Sequence, residues 1–353
     1  MSASHRFFKK LALRIIPLGR GTAPIGLGRP KGMLDVFFTV DVEVWCDGWR
    51  DLDARFPDAF RRYVYGPTPQ GEFGLRYQCE VMRDHGLTGV FFVEPLFSGR
   101  FGPDPLVEIV GLIAERGQEI QLHLHTEWVD EWPNPPIPGV TGKRQFMRDW
   151  DAREQQVLLA EGLRRLKAAG GVQARCFRAG GFGFDARTLE ALAAHGVPFD
   201  SSYNATAFGP TSGVGGDSLL HDLYVERGVA EWPMTVYVTG FGRFRHAQLG
   251  ACSAQEIEHL LWEALRQRRR SFVLLTHNFE LLTPSKTRSD PVVVRRFRRL
   301  CRFLDRHRGS FRVRGFSDLP VPTAAPPQPR VLHSNLWGTG VRLAEQAWRR
   351  RYA

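Results

Sequence analysis

The sequence predicts a single large α/β domain, at about residues 33–320 of the 353-residue chain. Seven short apolar runs alternate with six segments of helical periodicity, and this alternation is typical of folds built on a parallel sheet. Several of the runs are apolar throughout, as strands that are buried on both faces are. No GxGxxG motif follows the first run, which excludes the simplest dinucleotide-binding fold, whereas a barrel and an open doubly wound sheet both fit.

The predicted elements follow one another along the chain without an internal repeat. Strands are predicted at 35–40, 89–94, 119–124, 174–178, 197–201, 230–238 and 272–277. Helices are predicted at 74–86, 104–117, 145–169, 185–196, 253–269 and 292–307. The second helix has the i, i+3, i+4, i+7 spacing of an amphipathic helix, and Asp185 and Ser253 are suited to cap the N-termini of two later helices.

Both ends of the chain are predicted to lie outside this domain. Residues 1–32 form a basic N-terminal arm, and residues 321–353 form a Pro-rich linker followed by a C-terminal tail. No apolar run reaches the roughly 18 residues that a membrane-spanning helix needs. The arm is basic and partly apolar, so it could contact an anionic membrane surface at the periphery.

Charge and cysteine content narrow the class of protein further. The formal net charge of +11 comes from local basic runs, and the run at 295–308 has apolar residues at helical spacing. No nucleic-acid-binding motif accompanies it, so no nucleic acid partner is expected. The five cysteines are scattered without a C-x-x-C pair and predict neither a cysteine zinc site nor a disulfide framework. We therefore expect a reducing compartment and a cytoplasmic location. Within the cytoplasm, the protein could also make peripheral contact with the inner membrane surface.

Reactive side chains occur where five of the predicted strands end. They are Asp41 and Glu43, His123 and His125, Arg178, Glu231, and His277. In a parallel barrel the carboxyl ends of the strands converge on one face, and active sites lie there. Five strands with such an end predict a functional site at this face.

Strand periodicity places the candidate ligands in pairs. Residues two apart share a face, so His123 points the same way as His125, and Asp41 the same way as Glu43. Two imidazoles and a carboxylate suit zinc with an open position for water, and a non-haem iron site has the same composition. A His-x-His pair alone is more typical of a hydrogen-bonded core, but the carboxylates on another strand end favour a metal site.

These motifs together resemble those of the polysaccharide deacetylase family, the carbohydrate esterases that include chitooligosaccharide and peptidoglycan deacetylases. The resemblance spans roughly residues 35–280, and its motifs occur in the family's order. They are TVDVE at 39–43, EIQLHLHTEW at 119–128, FRAGG at 177–181, EWP at 231–233 and LLTH at 274–277. The resemblance implies a distorted (β/α)7 barrel in a single domain, one divalent metal ion, commonly zinc, and an acetylated amino-sugar glycan as substrate.

The family's roles carry over by position. The resemblance implies that Asp41 is the catalytic base, that Arg178 is its partner, and that His277 is the catalytic acid. It also implies that His123 is the first histidine ligand of the metal.

The sequence departs from the family's common pattern at three places. Glu43 stands one residue beyond the usual second aspartate, where Val42 lies, and we expect Glu43 to be the carboxylate ligand. The usual second histidine is replaced by Glu127, and we expect His125 to take its place, with Glu127 as the alternative. The proline often found after the arginine is absent from FRAGG. Some branches of the family combine Asp-x-Glu with His-x-His in this way.

The resemblance implies a metal-dependent hydrolase that removes N-acetyl groups from an amino-sugar glycan or its precursor. Two alternatives stay open: a catalytically inactive glycan-binding barrel, and a metal-dependent hydrolase of another non-peptide C–N bond. Tryptophans flank the reactive residues and are candidates either for sugar-stacking walls or for ordinary packing. They are Trp45, Trp49, Trp128 and Trp132.

Overall fold

The structure is a computed structural model that describes residues 32–352. The predicted basic arm at 1–32 therefore lies, apart from Gly32, outside the described residues. None of the described helices is long and apolar enough to cross a membrane.

Strands and helices alternate along the described chain. The strands are β1 (Leu34–Val42), β2 (Pro67–Thr68), β3 (Gly71–Glu72), β4 (Val90–Val93), β5 (Glu119–Leu124), β6 (Cys176–Ala179), β7 (Phe199–Asp200), β8 (Tyr224–Glu226), β9 (Val229–Glu231), β10 (Val236–Val238), β11 (Phe244–His246), β12 (Ser271–His277), β13 (Phe311–Val313) and β14 (Leu332–His333). The helices are α1 (Leu52–Phe60), α2 (Leu75–Asp84), α3 (Ser98–Phe101), α4 (Asp104–Ala114), α5 (Ala152–Gly170), α6 (Ala186–Ala194), α7 (Ala254–Arg266), α8 (Pro291–Arg306) and α9 (Leu336–Arg349).

The main sheet curls into a distorted barrel. Strands β12, β1, β4, β5, β6, β7 and β9 lie side by side in that order and run parallel. The two ends of this row, β9 and β12, are joined through the irregular segment that follows β9. In that segment the N–H of Thr235 donates to the carbonyl oxygen of Val273 in β12 at 3.3 Å, and the N–H of Val273 donates to the Thr235 hydroxyl at 2.8 Å. The prediction of an α/β domain with a distorted barrel is confirmed.

Alternate residues of each barrel strand face two different cores. On β1 the outward side chains pack against the surrounding helices; they are Leu34, Val36, Phe38, Val40 and Val42. The interior of the barrel is filled by aromatic rings, with Phe316 stacked on Phe37 at 4.4 Å between centroids and close to Phe92, Phe199 and Trp232. The strands are largely apolar because both faces are buried. The side chains of Asp41, His123, Arg178 and His277 lie at or near the carboxyl ends of their strands.

Helix starts follow the capping chemistry that the sequence predicts. The Asp185 carboxylate accepts the Arg187 N–H at the start of α6, and the Ser253 hydroxyl accepts the Glu256 N–H at the start of α7. Each satisfies a backbone donor that has no partner within the helix.

One predicted strand is in fact two. The run 230–238 divides into β9 and β10, which belong to different sheets. Pro233 lies in the break, and because proline has no N–H it cannot continue a central strand. β10 pairs instead with β11 and with β14 near the C-terminus.

The segment 321–353, assigned from the sequence to a linker and tail, contains a helix that the sequence analysis did not predict. Helix α9 packs against α7 through the buried carboxylate of Glu256. Arg342 donates to Glu256 at 3.0 Å, and the hydroxyls of Thr339 and Ser334 donate to it at 2.9 and 3.3 Å. These contacts fasten the C-terminal helix to the barrel domain.

Replacing Arg342 should therefore destabilise the fold. Arg342→Met leaves the buried Glu256 carboxylate without its cation, and we expect the free energy of unfolding to fall by about 3–5 kcal/mol. Urea unfolding followed by circular dichroism measures this change. The matched control is Arg350→Met, at an exposed position of the same chain end, which should change stability by about 0.5 kcal/mol or less. Equal effects of the two substitutions would contradict the role of the Arg342–Glu256 pair.

Candidate metal centre

Strand register determines which side chains meet at the carboxyl end of the barrel. Asp41 of β1 lies opposite His277 of β12, and His123 of β5 lies opposite Arg178 of β6. Register partners on neighbouring strands are about 4.8 Å apart and point to the same face of the sheet. The predicted catalytic and ligand residues are therefore brought together in one place.

Glu43 lies between the two predicted histidine ligands. Its Oε1 atom is 3.2 Å from Nε2 of His123 and 3.0 Å from Nε2 of His125. One potential ligand atom from each of the three residues lies within 4.8 Å of the others, and all three residues are buried. Two imidazoles and one carboxylate form the donor set of a catalytic zinc site with a fourth position for water.

Neighbouring groups orient two of these ligands as a metal requires. His123 Nδ1 donates to the carbonyl oxygen of Arg178 at 2.8 Å, which leaves the lone pair of Nε2 facing Glu43. The indole N–H of Trp45 donates to Glu43 Oε2 at 2.6 Å, so Oε1 is the oxygen left for a cation. Partners of this kind fix the tautomer and orientation of metal ligands. The residues present therefore fit one divalent ion.

The His125 ring is oriented by neighbours of its Nδ1 atom, while its Nε2 atom lies near Glu43. Its Nδ1 atom lies 3.4 Å from a Glu127 carboxylate oxygen. Gly180, in the FRAGG motif, lies so close that a β-carbon there would be 2.8 Å from Nδ1 of His125 and 2.7 Å from a backbone oxygen. Glu127 belongs to neither group of candidate ligands found within residues 32–352. This geometry favours His125 as a ligand and Glu127 as its hydrogen-bond partner.

The electrostatics of the group favour positive charge beside Glu43. Burial raises the pKa of the Glu43 carboxyl, but the charge of His125 and the hydrogen bonds of His123 and His125 outweigh it and hold that pKa well below its usual range. Burial lowers the pKa of His125, and the carboxylates of Glu43 and Glu127 reverse this and hold it well above its usual range. A buried anion of this kind requires a cationic partner.

Arg178 is fully buried and holds Asp41. Its Nη1 atom donates to Asp41 Oδ1 at 2.6 Å and to the Thr39 hydroxyl at 2.8 Å. Its Nε and Nη2 atoms donate to the carbonyl oxygen and hydroxyl of Ser201, both at 3.1 Å, and its guanidinium lies 4.2 Å from the centroid of the Phe92 ring. These hydrogen bonds and the Phe92 ring fix the position of the guanidinium. The guanidinium in turn orients the Asp41 carboxylate toward the site.

His277 is partly exposed and is held by a second carboxylate. Its Nδ1 atom lies 3.2 Å from Oε2 of Glu280, while its Nε2 atom faces the site, 3.9 Å from Glu43 Oε1. Burial lowers the pKa of His277, but the hydrogen bond to Glu280 and the charges of Glu43, Glu280 and Asp41 outweigh it and raise the pKa to about 9. These carboxylates therefore favour the protonated form of the ring.

Asp41, Glu43 and His277 also form a second group of possible ligands. In that group the Asp41 carboxylate already binds the guanidinium of Arg178, whose charge would oppose another cation nearby. This contact favours the first group as the metal site, and the acid–base roles of Asp41 and His277 stay predictions.

Sequence reasoning missed two acidic residues near the site. Glu280 follows the last strand in LLTHNFE, and Glu94 follows β4 in VFFVE, so both carried the strand-end signal that identified the others. Glu94 is buried and accepts the N–H groups of Leu96 and Phe97, and burial raises its pKa to about 8.

Glu231 ends its strand as predicted but does not join the metal group. It lies opposite Asp200 of β7, is fully buried, and accepts the N–H of Tyr203 at 3.0 Å. Burial and the neighbouring Asp200 carboxylate raise the pKa of Glu231 well above its usual range. This pair is part of the barrel interior.

The tryptophans divide between packing and the rim of the site. Trp128 and Trp132 are buried and serve as core. Trp45 packs edge-on to His125, with 4.8 Å between ring centroids. Trp45 and Trp49 are both partly exposed, and Nζ of Lys143 lies 3.5 Å from the centroid of the Trp49 ring.

The indole N–H of Trp45 should strengthen metal binding. Trp45→Phe keeps an aromatic ring but removes the donor to Glu43, and we expect zinc affinity to fall by about 10- to 100-fold. Competition with a chromophoric chelator measures the affinity. The control Trp49→Phe makes the same chemical change in a ring that contacts none of the three ligands, and it should leave the affinity unchanged. Equal affinities for Trp45→Phe and the parent protein would remove Trp45 from the site.

Comparison with known proteins supports the architecture. No protein-family model matches the chain, and no curated protein matches it. Among solved structures, a protein from Mycobacterium smegmatis assigned as a polysaccharide deacetylase is similar, with a TM-score of 0.53 and 18% identity over 87% of this chain and 99% of that one.

Two further structures are more distant. A family 4 carbohydrate esterase from Streptomyces lividans has a TM-score of 0.40 and 12% identity, over 86% of this chain and 99% of that one. A CE4 family pseudoenzyme from Bacillus anthracis has a TM-score of 0.38 and 12% identity, over 83% and 67%. Together with the barrel described above, the likeness to the mycobacterial structure shows that this chain has the polysaccharide deacetylase fold, as its motifs predicted.

Proposed function

We propose that the protein is a metal-dependent hydrolase that removes N-acetyl groups from an amino-sugar-containing glycan or glycan precursor. The observation that carries the proposal is the pairing of two separate functional groups at one end of the barrel. Glu43, His123 and His125 form a three-donor metal group, and Asp41 and His277 flank it as a base and an acid.

The ligand group would hold one divalent ion, for which zinc is the natural candidate. When bound, such an ion lowers the pKa of a water molecule toward neutrality and polarises a carbonyl oxygen. The chain's own residues supply the remaining chemistry.

Asp41 is suited to take a proton from the attacking water. The guanidinium of Arg178, 2.6 Å from Oδ1, stabilises the ionised carboxylate in a buried position where it would otherwise be costly. Since Oδ1 is held by Arg178, the other carboxylate oxygen is available to accept the proton. Arg178 is in this scheme a positioning residue for the base.

His277 is suited to give a proton to the leaving nitrogen. Its bond to Glu280 through Nδ1 directs Nε2 into the site and favours the protonated ring. Hydrolysis then forms a C–O bond from water to the acetyl carbon and breaks the amide C–N bond. The products are acetate and a free amine on the sugar, and the proton taken by Asp41 balances the one given by His277.

The substrate class rests on the deacetylase fold and on the rim of the site. Trp49 and Lys143 lie beside acidic residues in a shallow depression, lined by Asp51, Asp53, Arg100 and Glu131. An aromatic face surrounded by hydrogen-bonding groups is the chemistry that binds sugar rings.

A cytoplasmic location remains our prediction.

Metal content is the first test. Elemental analysis of the purified chain should find about one zinc per chain, because the site offers three protein ligands and an open position. His123→Ala and His125→Ala should each abolish this content. The control His195→Ala changes an exposed histidine and should retain the metal. A parent chain that binds no metal after zinc is added would exclude the hydrolase and leave the glycan-binding alternative.

Asp41→Asn is the test of the catalytic scheme. In zinc-loaded protein we expect release of acetate from N-acetylated oligosaccharides to fall by about 100- to 10,000-fold, since a general base contributes this much. Zinc content should stay unchanged because Asp41 lies outside the assigned ligand group.

The control for that variant is Asp35→Asn. Asp35 lies on the same strand, pairs with Arg312 near the surface, and should leave the rate unaltered. Activity of Asp41→Asn within a few-fold of the parent would show that Asp41 is not the base. Full zinc content without activity on any acetylated oligosaccharide would favour a binding protein.

A further inference from the structure

Helix α9 presents an apolar face to the outside. Four large side chains lie on it with exposed fractions of 64% for Leu336, 73% for Trp337, 44% for Leu343 and 54% for Trp348. Over these positions the helix is about 18 Å long, at 1.5 Å per residue. Single exposed apolar residues are ordinary, but four on the outer side of one helix, two of them tryptophans, indicate a contact surface.

The tip of the hairpin between β10 and β11 extends this face. Gly240 contacts the first turn of α9, because its N–H donates to the Thr339 hydroxyl at 3.1 Å and a β-carbon on it would be 3.0 Å from Leu336 Cα. The next residues are exposed, with Phe241 at 63% and Phe244 at 38%. We call the exposed side chains of α9 and of this tip the α9 surface.

The positive charge of the α9 surface is unpaired among residues 32–352. Arg243 at the hairpin tip and Arg350 and Arg351 at the helix end are exposed, and they form no ion pair with a described residue. Arg351 lies over the ring of Trp348 at 5.4 Å. The only acidic residue within α9, Glu345, is turned away and binds Arg296 at 2.7 Å.

The helix presents this face rigidly. Arg342 binds the buried Glu256, and Arg349 binds the buried Asp290 at 2.7 Å and the Gly250 carbonyl oxygen at 2.9 Å. These ion pairs fix the inner face, so the outer tryptophans stay exposed in the folded protein. Ordering α9 therefore adds no cost when a partner binds.

We propose that the α9 surface docks on an anionic lipid bilayer. Tryptophan, phenylalanine and leucine beside arginine form the composition of helices that lie in the membrane interface. The arginines would contact the negative lipid headgroups, which attract basic residues near the bilayer surface. The contact is peripheral.

Charge argues against the other occupants of this surface. Residues 1–31 contain lysine and arginine but neither aspartate nor glutamate, so the exposed arginines would repel that segment. A second copy of the chain would bring its own Arg243, Arg350 and Arg351 to the interface. An anionic bilayer satisfies both the apolar row and the charge.

Vesicle sedimentation with the full chain tests the proposal. We expect binding to vesicles that contain phosphatidylglycerol and little binding to pure phosphatidylcholine vesicles, at about 0.1 M salt. Trp337→Ala with Trp348→Ala, and separately Arg350→Ser with Arg351→Ser, should each weaken binding by about tenfold or more. All four positions are exposed, so the variants should keep the unfolding midpoint of the parent.

The matched control removes equal charge elsewhere. Arg153→Ser with Arg164→Ser, on the exposed side of α5, should bind vesicles as the parent does. Binding that survives both α9 variants would overturn the proposal and assign membrane contact to another part of the chain. Absence of binding to anionic vesicles, or a concentration-dependent dimer that the tryptophan variant abolishes, would overturn it as well. None of these outcomes depends on deacetylase activity.

Discussion

The candidate site depends on Arg178, whose guanidinium is fully buried. The side chain of Arg178 binds the Asp41 carboxylate at 2.6 Å, and its main-chain carbonyl oxygen accepts the Nδ1 proton of His123 at 2.8 Å. One residue of β6 thus orients both the proposed base and a proposed metal ligand. The guanidinium can be buried because Thr39, Ser201 and Asp41 accept its hydrogen bonds, so little of the desolvation cost is left uncompensated. The relative geometry of base and metal group follows from this single position on the sheet.

The barrel makes such a site by changing polarity along its interior. On β1 the inward side chains pass from Phe37, packed on Phe316, to Thr39, Asp41 and finally Glu43. The outward residues of the same strand stay apolar throughout and bury against the helices. The helical layer therefore supplies stability independently of the site, and the carboxyl end of the strand is free to carry charges. This division explains why an apolar strand can end in two carboxylates.

The residues that could be predicted from the sequence are those whose position follows from strand periodicity. The seven barrel strands, the six predicted helices and the inward direction of His123 and Asp41 all depend on local pattern. Helix α9 could not be predicted, because Gly338 and Gly340 lower helix propensity, and Gly338 is needed where a β-carbon would be 2.8 Å from Glu256. The contacts of Trp45 and Glu280 depend on how loops return to the site, which no local pattern encodes. The choice between His125 and Glu127 likewise required the short helical turn at 126–131, which carries Glu127 to the far side of the ring.

The potential at the site argues for a cation independently of any family resemblance. The carboxylates of Glu43 and Glu127 flank His125 and hold its pKa well above the usual range, although burial alone would lower it. Two carboxylates, at 3.0 and 3.4 Å from the nitrogens of one buried imidazole, place negative potential at this point. A field that attracts a proton to a buried imidazole attracts a divalent ion more strongly, and the ion also gains the lone pairs of two Nε2 atoms. The guanidinium of Arg178 does not supply this positive charge to Glu43, because it is paired with Asp41. This geometry supports the proposal that Glu43 is a metal ligand.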